Sequence, residues 1–146
     1  MLGHLNNSGN RGIGMHRADI DLEHNRLILH WIDSLNVSDV ERLQAEVTSL
    51  LPKLRPGFDC ISDTTNMRPV SRHVAEHIER LQALLHKAGM RWVVRIVGKG
   101  DGAQRAATQM DRTAETAGYA TIHVASEAEA LVVLSQPQPV TMSDAR

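Results

Sequence analysis

Arg55-Pro56-Gly57-Phe58-Asp59-Cys60-Ile61-Ser62-Asp63-Thr64-Thr65, continued to Ser71-Arg72-His73, decides the fold of this chain. Pro56-Gly57 is turn chemistry. Residues 58–61 form a short apolar run of strand length. Asp63, Thr64, Thr65 and Asn66 then gather carboxylate, hydroxyl and amide groups where that strand is expected to end. Pro69 delays the next helix, because the residue before a proline avoids helical angles. Ser71 fits the N-cap of that helix. A turn, a strand, a polar loop and a helix start in that order belong to an α/β sheet. In open sheets of this kind, ligands and partners dock at the carboxyl ends of the strands.

The same reading extends outward. Downstream, residues 71–88 carry Val74, Ile78, Leu81 and Leu85 on one stripe, and Gly89 is a stop signal. Residues 91–97 are β-rich, and Gly98-Lys99-Gly100-Asp101-Gly102 follows as a flexible loop. A helix from Ala103 presents small residues, Ala106, Ala107, Ala114 and Ala117 among them, that let it lie close to a sheet; Gly118 ends it. Residues 121–125 read as a last strand, and Ser126-Glu127-Ala128-Glu129 as a capping box opening a short helix to about Leu134. Upstream, residues 16–22 alternate, with Ala18, Ile20 and Leu22 on one face, and His24-Asn25 turns the chain. Residues 26–32 are apolar on both faces, as an interior strand is. His30 within it reads as a satisfied core histidine. Ser38-Asp39-Val40-Glu41 reads as a capping box for a helix towards Leu51. The expected fold is α/β: a hairpin, then alternating strands and helices, in a mixed, mostly parallel sheet of about five strands with four helices. Residues 1–14 are expected to be a disordered leader, 15–135 the domain, and 136–146 a flexible tail.

Composition narrows the function classes. The 146 residues suffice for one domain. A net charge of -1, without long runs of one sign, excludes binding driven by bulk attraction to nucleic acid or to a membrane surface. Aromatic residues are too few for a base-stacking platform. No apolar run reaches membrane-span length. The single cysteine, Cys60, reads as core packing and fits a reducing, cytoplasmic setting.

His73-Val74-Ala75-Glu76-His77 matches H-x-x-E-H, a zinc-protease signature. Such a site needs a third protein ligand and a substrate cleft, and the chain offers neither in recognisable form. No metal, cofactor or catalytic residue is assigned. Gly98-Lys99-Gly100 lies at a strand-to-helix junction where backbone N–H groups can hold an anion, but its spacing is not that of a P-loop.

The element order, with the residues around Asp63, resembles the SpoIIAA-like or STAS superfamily, the anti-sigma-factor antagonists and their relatives. The likeness covers roughly residues 15–134. That family carries a pattern like D-x-S-x-V-x-x-x-D-S-S-G between its central strand and the next helix. Asp63 stands at the first Asp, Thr65 at the Ser and Met67 at the Val; Ser71 stands at the second Asp, Arg72 and His73 at the two serines, and Val74 at the Gly. In the antagonists one of those serines is phosphorylated by the partner kinase. Neither is present here, so the chain looks like the branch with the fold and without the switch. The resemblance implies a non-enzymatic, regulatory interaction module. Its expected binding residues are Asp63, Thr64, Thr65, Asn66, Ser71, Arg72, His73, Lys99 and Gly100, and its expected partner is a protein. The alternative is a small ligand, an anion or an apolar molecule, between loops 63–71 and 98–102. A homodimer is compatible with either.

Overall fold

The computed structural model describes residues 17–33 and 35–136. The leader expected at 1–14 and nearly all of the tail expected at 136–146 lie outside that range. Among the described residues, five strands form one sheet in the order β1 (Arg17–Asp21), β2 (Arg26–Asp33), β3 (Asp59–Met67), β4 (Trp92–Val97) and β5 (Ile122–Val124). β1 and β2 are an antiparallel hairpin turned at Asn25, whose φ is +54°. The other neighbours are parallel, so β3 and β4 lie side by side with Asp59 opposite Trp92 and Thr64 opposite Val97. Four helices connect or follow the strands: α1 (Val37–Leu50), α2 (Arg72–Lys87), α3 (Asp101–Ala117) and α4 (Glu127–Ser135).

The helices divide unequally between the two faces. α1, α2 and α3 bury Val40, Leu43, Val47, Val74, Ile78, Leu81, Leu85, Ala106 and Met110 against Leu27, Leu29, Trp31, Cys60 and Val93. Among the described residues α4 alone covers the other face, where Ala130, Val133 and Leu134 meet Ile61, Val94, Ile96 and Val124. The alanines of α3 act as expected: Ala106, Ala107 and Ala114 are buried, so α3 lies close to its neighbours there. Glu46 of α1 accepts a bond from the Ala18 N–H at 2.8 Å, which blunts the free edge of β1.

Local chemistry shifts several expected boundaries. The cap of α1 is Asn36 with Asp39, two residues before Ser38-Glu41: the Asn36 side chain accepts from Asp39 N–H, and Asp39 accepts from Asn36 N–H. Leu22 does not continue the buried face of β1; it sits in the turn and is 56% exposed. α3 begins at Asp101, so the glycine-rich connection is shorter than 98–102. Ser126 does cap α4, but Glu129 reaches past it to the Ala125 N–H.

The largest correction concerns β3. Asp63, Thr64, Thr65 and Asn66 are not a loop; they are strand as far as Met67. Threonine is a good strand residue. Register shows how the extension is built. His30 pairs with Asp63 and Ile32 with Asn66, so Thr64 and Thr65 together oppose Trp31 in a bulge. Cys60, Ser62 and Thr64 are buried in alternation, and after the one-residue slip Met67 joins the same core at 1% exposure. The bulge turns Thr65 and Asn66 out to solvent.

Candidate functional site

Beyond the bulge, the end of β3 and the start of α3 form an open-sided crevice of about 720 Å³. Its walls are Thr65, Asn66, Met67, Arg68 and Pro69 on one side and Gly100, Gly102, Ala103 and Arg105 on the other. Two features set its shape. A Cβ at Gly98 would collide with the Thr65 carbonyl oxygen and lie 2.9 Å from the Ala103 Cβ, so only glycine lets the two walls approach this closely. Gln109 clamps the segment after β3 to α3: its Oε1 accepts from Val70 N–H and its Nε2 donates to Val70 O, both at 2.9 Å. The Gln104 amide adds a bond to Gly98 O at 2.7 Å. The walls are therefore fixed before anything binds.

The rim is cationic on balance. Arg68 and Arg105 line the crevice and are exposed; Lys99 and Arg72 are exposed on the neighbouring segments. Asp101 is exposed at the start of α3, and Asp33 meets Arg68 at 3.4 Å in a pair open to solvent on both sides. Such a pair holds its partners weakly. The N-cap of α3, Gly100, makes no side-chain capping bond.

The residues expected from the sequence separate here. Thr65, Asn66 and Gly100 line the crevice. Thr64 lies inside the protein at 0% exposure, its hydroxyl donating to Ile96 O at 2.8 Å. The Ser71 hydroxyl caps α2 by accepting from Val74 N–H at 3.2 Å. Arg72 and His73 are exposed on the first turn of α2, outside the crevice walls. The His73 and His77 rings meet edge to face at 5.1 Å between centroids, and His77 Nδ1 lies 3.1 Å from His73 O. Among the described residues no three His, Cys, Asp or Glu side chains are arranged to hold a metal. Cys60 is sealed in the core, and burial pushes its thiol up to about 12, out of reach of ordinary thiolate chemistry.

Asp63 points to the face that α4 leaves half open. There His30 is partly exposed rather than a core residue, with Nε2 3.6 Å from Asp19 and Nδ1 3.8 Å from Asp63. Asp63 Oδ1 accepts from the Thr65 hydroxyl at 2.6 Å and from Thr65 N–H at 3.0 Å. Burial pushes the Asp63 carboxyl up, but the His30 ring and the two Thr65 bonds together outweigh it and hold it below the ordinary 3.8. A folded-state value below the unfolded one means that the ionised group stabilises the fold above about pH 4 and that this is lost as pH falls through the lower value. Asp63→Asn should therefore unfold at lower urea than the parent near pH 7, with the gap narrowing as the pH falls below 3.8. A gap of constant size across that range would disconnect Asp63 ionisation from stability.

No family model and no curated protein matches this sequence. Solved structures do. An uncharacterized protein of the DUF3478 family with a SpoIIAA-like fold, from Shewanella loihica PV-4, superposes with a TM-score of 0.60 at 21% identity, over 82% of this chain and 91% of that one. The anti-sigma factor antagonist SpoIIAA in its unphosphorylated form superposes with a TM-score of 0.52 at 11% identity, over 80% and 92%. The chain thus has the SpoIIAA-like, or STAS, fold. Among the described residues no helix is long and apolar enough to cross a membrane.

Proposed function

We propose that this protein is a non-enzymatic regulatory module that binds an acidic segment of a protein partner in the crevice between β3 and α3. The observation that carries this reading is the crevice itself: prearranged, open-sided and lined by Arg68 and Arg105, with Lys99 and Arg72 exposed on the neighbouring segments. Small-molecule sites usually enclose most of their ligand. An open trough suits an extended chain that enters and leaves by the sides. Opposite charges there would speed encounter and fix register. Arg72 and His73 on α2 would meet the flank of the partner, with Thr65, Asn66 and Gly100 beneath it.

A photo-crosslinking residue placed at Asn66 or Arg105 in the native host tests this. The same protein should be captured from both positions and not from Glu41 on α1. Binding of the captured protein to the purified Arg68→Glu/Arg105→Glu variant should weaken at least tenfold. Capture equally strong from Glu41, or unchanged affinity, would remove the crevice from the interaction. The second reading, a small anion, is favoured by the α3 N-terminus, which has no side-chain cap. A metabolite that stays bound in native mass spectra and is lost in the double variant would favour it over the first.

A further inference from the structure

The interior between the sheet, α2 and α3 holds a polar group of residues that the crevice does not use. Arg95 is in the middle of β4 at 1% exposure, on the face that α1, α2 and α3 cover. Its Nε donates to Asp111 at 3.1 Å and its Nη1 to the Ser62 hydroxyl at 3.0 Å, while Nη2 has no partner among the described residues. Gln82 on α2 is 3% exposed; its Nε2 donates to Met110 O, and its Oε1 has no partner among the described residues. An unsatisfied buried polar atom costs about 1–3 kcal/mol, and more when charged, so two in one place call for an explanation.

Both residues line the same internal cavity, together with Ser62, Tyr119, Trp31, Cys60 and apolar side chains. Its volume is about 10 Å³ for the centre of a water-sized sphere, at the lower limit for holding a single water. Ser62 supplies a third partner. Its oxygen accepts from Trp31 Nε1 and from Arg95 Nη1, both at 3.0 Å, which uses both lone pairs and leaves its own proton to donate.

We infer that this cavity is a binding site for one ordered water, which accepts from Arg95 Nη2 and from the Ser62 hydroxyl and donates to Gln82 Oε1. Three bonds of this kind are the usual complement of a buried water. The bonding types agree: Arg95 Nη2 and the Ser62 hydroxyl each give a proton to one of the water's lone pairs, and Gln82 Oε1 accepts one of its two protons. The water joins the central strands, through Ser62 and Arg95, to α2, whose first turn flanks the crevice. It also gives Arg95 Nη2 a partner, since Asp111 is bonded through Nε and Ser62 through Nη1.

A high-resolution crystal structure of the wild-type protein tests this directly. One density peak at hydrogen-bond distance from both Arg95 Nη2 and Gln82 Oε1 is expected. In solution, magnetic relaxation dispersion should count one long-lived internal water more in the wild type than in Gln82→Leu. An Arg95 Nη2 that bonds a protein oxygen directly, or a Tyr119 hydroxyl that donates straight to Gln82 Oε1, would overturn the inference. So would an equal count of long-lived waters in folded Gln82→Leu. If that variant does not fold, the wild-type density alone decides.

Discussion

Ile78→Asp should abolish the folded state under conditions where the parent is fully folded. Ile78 is 1% exposed at the centre of the α2 stripe, packed into the three-helix side of the core. The substitution removes a buried apolar side chain, a loss of about 1.5–3 kcal/mol. It also brings in a carboxylate that must either ionise without a partner or stay protonated at neutral pH, and an uncompensated buried charge costs about 3–5 kcal/mol more. The sum is comparable with the whole stability of a domain this size, about 5–15 kcal/mol. Far-UV circular dichroism against urea should show no cooperative transition, or one moved to a much lower midpoint. Ala83→Asp is the control: Ala83 is exposed on the same helix, and the change there should stay within about 0.5 kcal/mol of the parent. Equal behaviour of the two variants would mean that the stripe does not face the sheet.

Gly98→Val should damage stability and crevice together. The first atom added at Gly98 meets the Thr65 carbonyl, a backbone group of the central strand, and the Ala103 Cβ, so neither neighbour can swing aside. Relief requires β3 and α3 to separate, which opens the crevice and strains the Gln109 clamp. Overpacking of this sort costs about 3 kcal/mol. Gly100→Ala is the contrast: nothing lies within 4 Å of a Cβ there, and that variant should keep the parent's unfolding midpoint. If Gly98→Val unfolded at the same urea concentration as Gly100→Ala, the close approach of strand and helix would be absent in solution.

The sequence exposes the helices of this fold more readily than its central strand. Val74, Ile78, Leu81 and Leu85 repeat at helical spacing, and Ser71 and Gly89 mark where that repeat starts and stops. These are local signals, and the structure keeps them. β3 is different. Its second half is polar, so Asp63 to Asn66 read as loop; what makes them strand is pairing with β2 and β4, which local composition does not carry. The bulge opposite Trp31 breaks the two-residue alternation that would have betrayed the strand. The crevice was half legible. Thr65 and Asn66 stand out as polar groups at a strand end and Gly100 as part of a glycine-rich junction, whereas nothing in the local sequence singles out Arg68, Arg105 or Gln109. Their roles come from sitting across a gap from one another, nearly forty residues apart in the chain. His30 was misread for the same reason: its neighbours Asp19 and Asp63 come from the strands on either side.

The lopsided sheet has a consequence for how the molecule comes apart. Among the described residues three helices share one face, while the other is held by α4, which buries only Ala130 fully and leaves Leu131 and Val132 about half exposed. β5, which α4 also covers, is three residues long and hydrogen-bonded to β4 on one side. Release of these two elements would uncover Ile61, Val94 and Ile96, a smaller cluster than the main core that release of any other helix would breach. Among the described residues, β5 and α4 are therefore expected to open at a lower free energy than the frame of four strands and three helices. The crevice belongs wholly to that frame. A partner seated there would be held by the tier expected to open last.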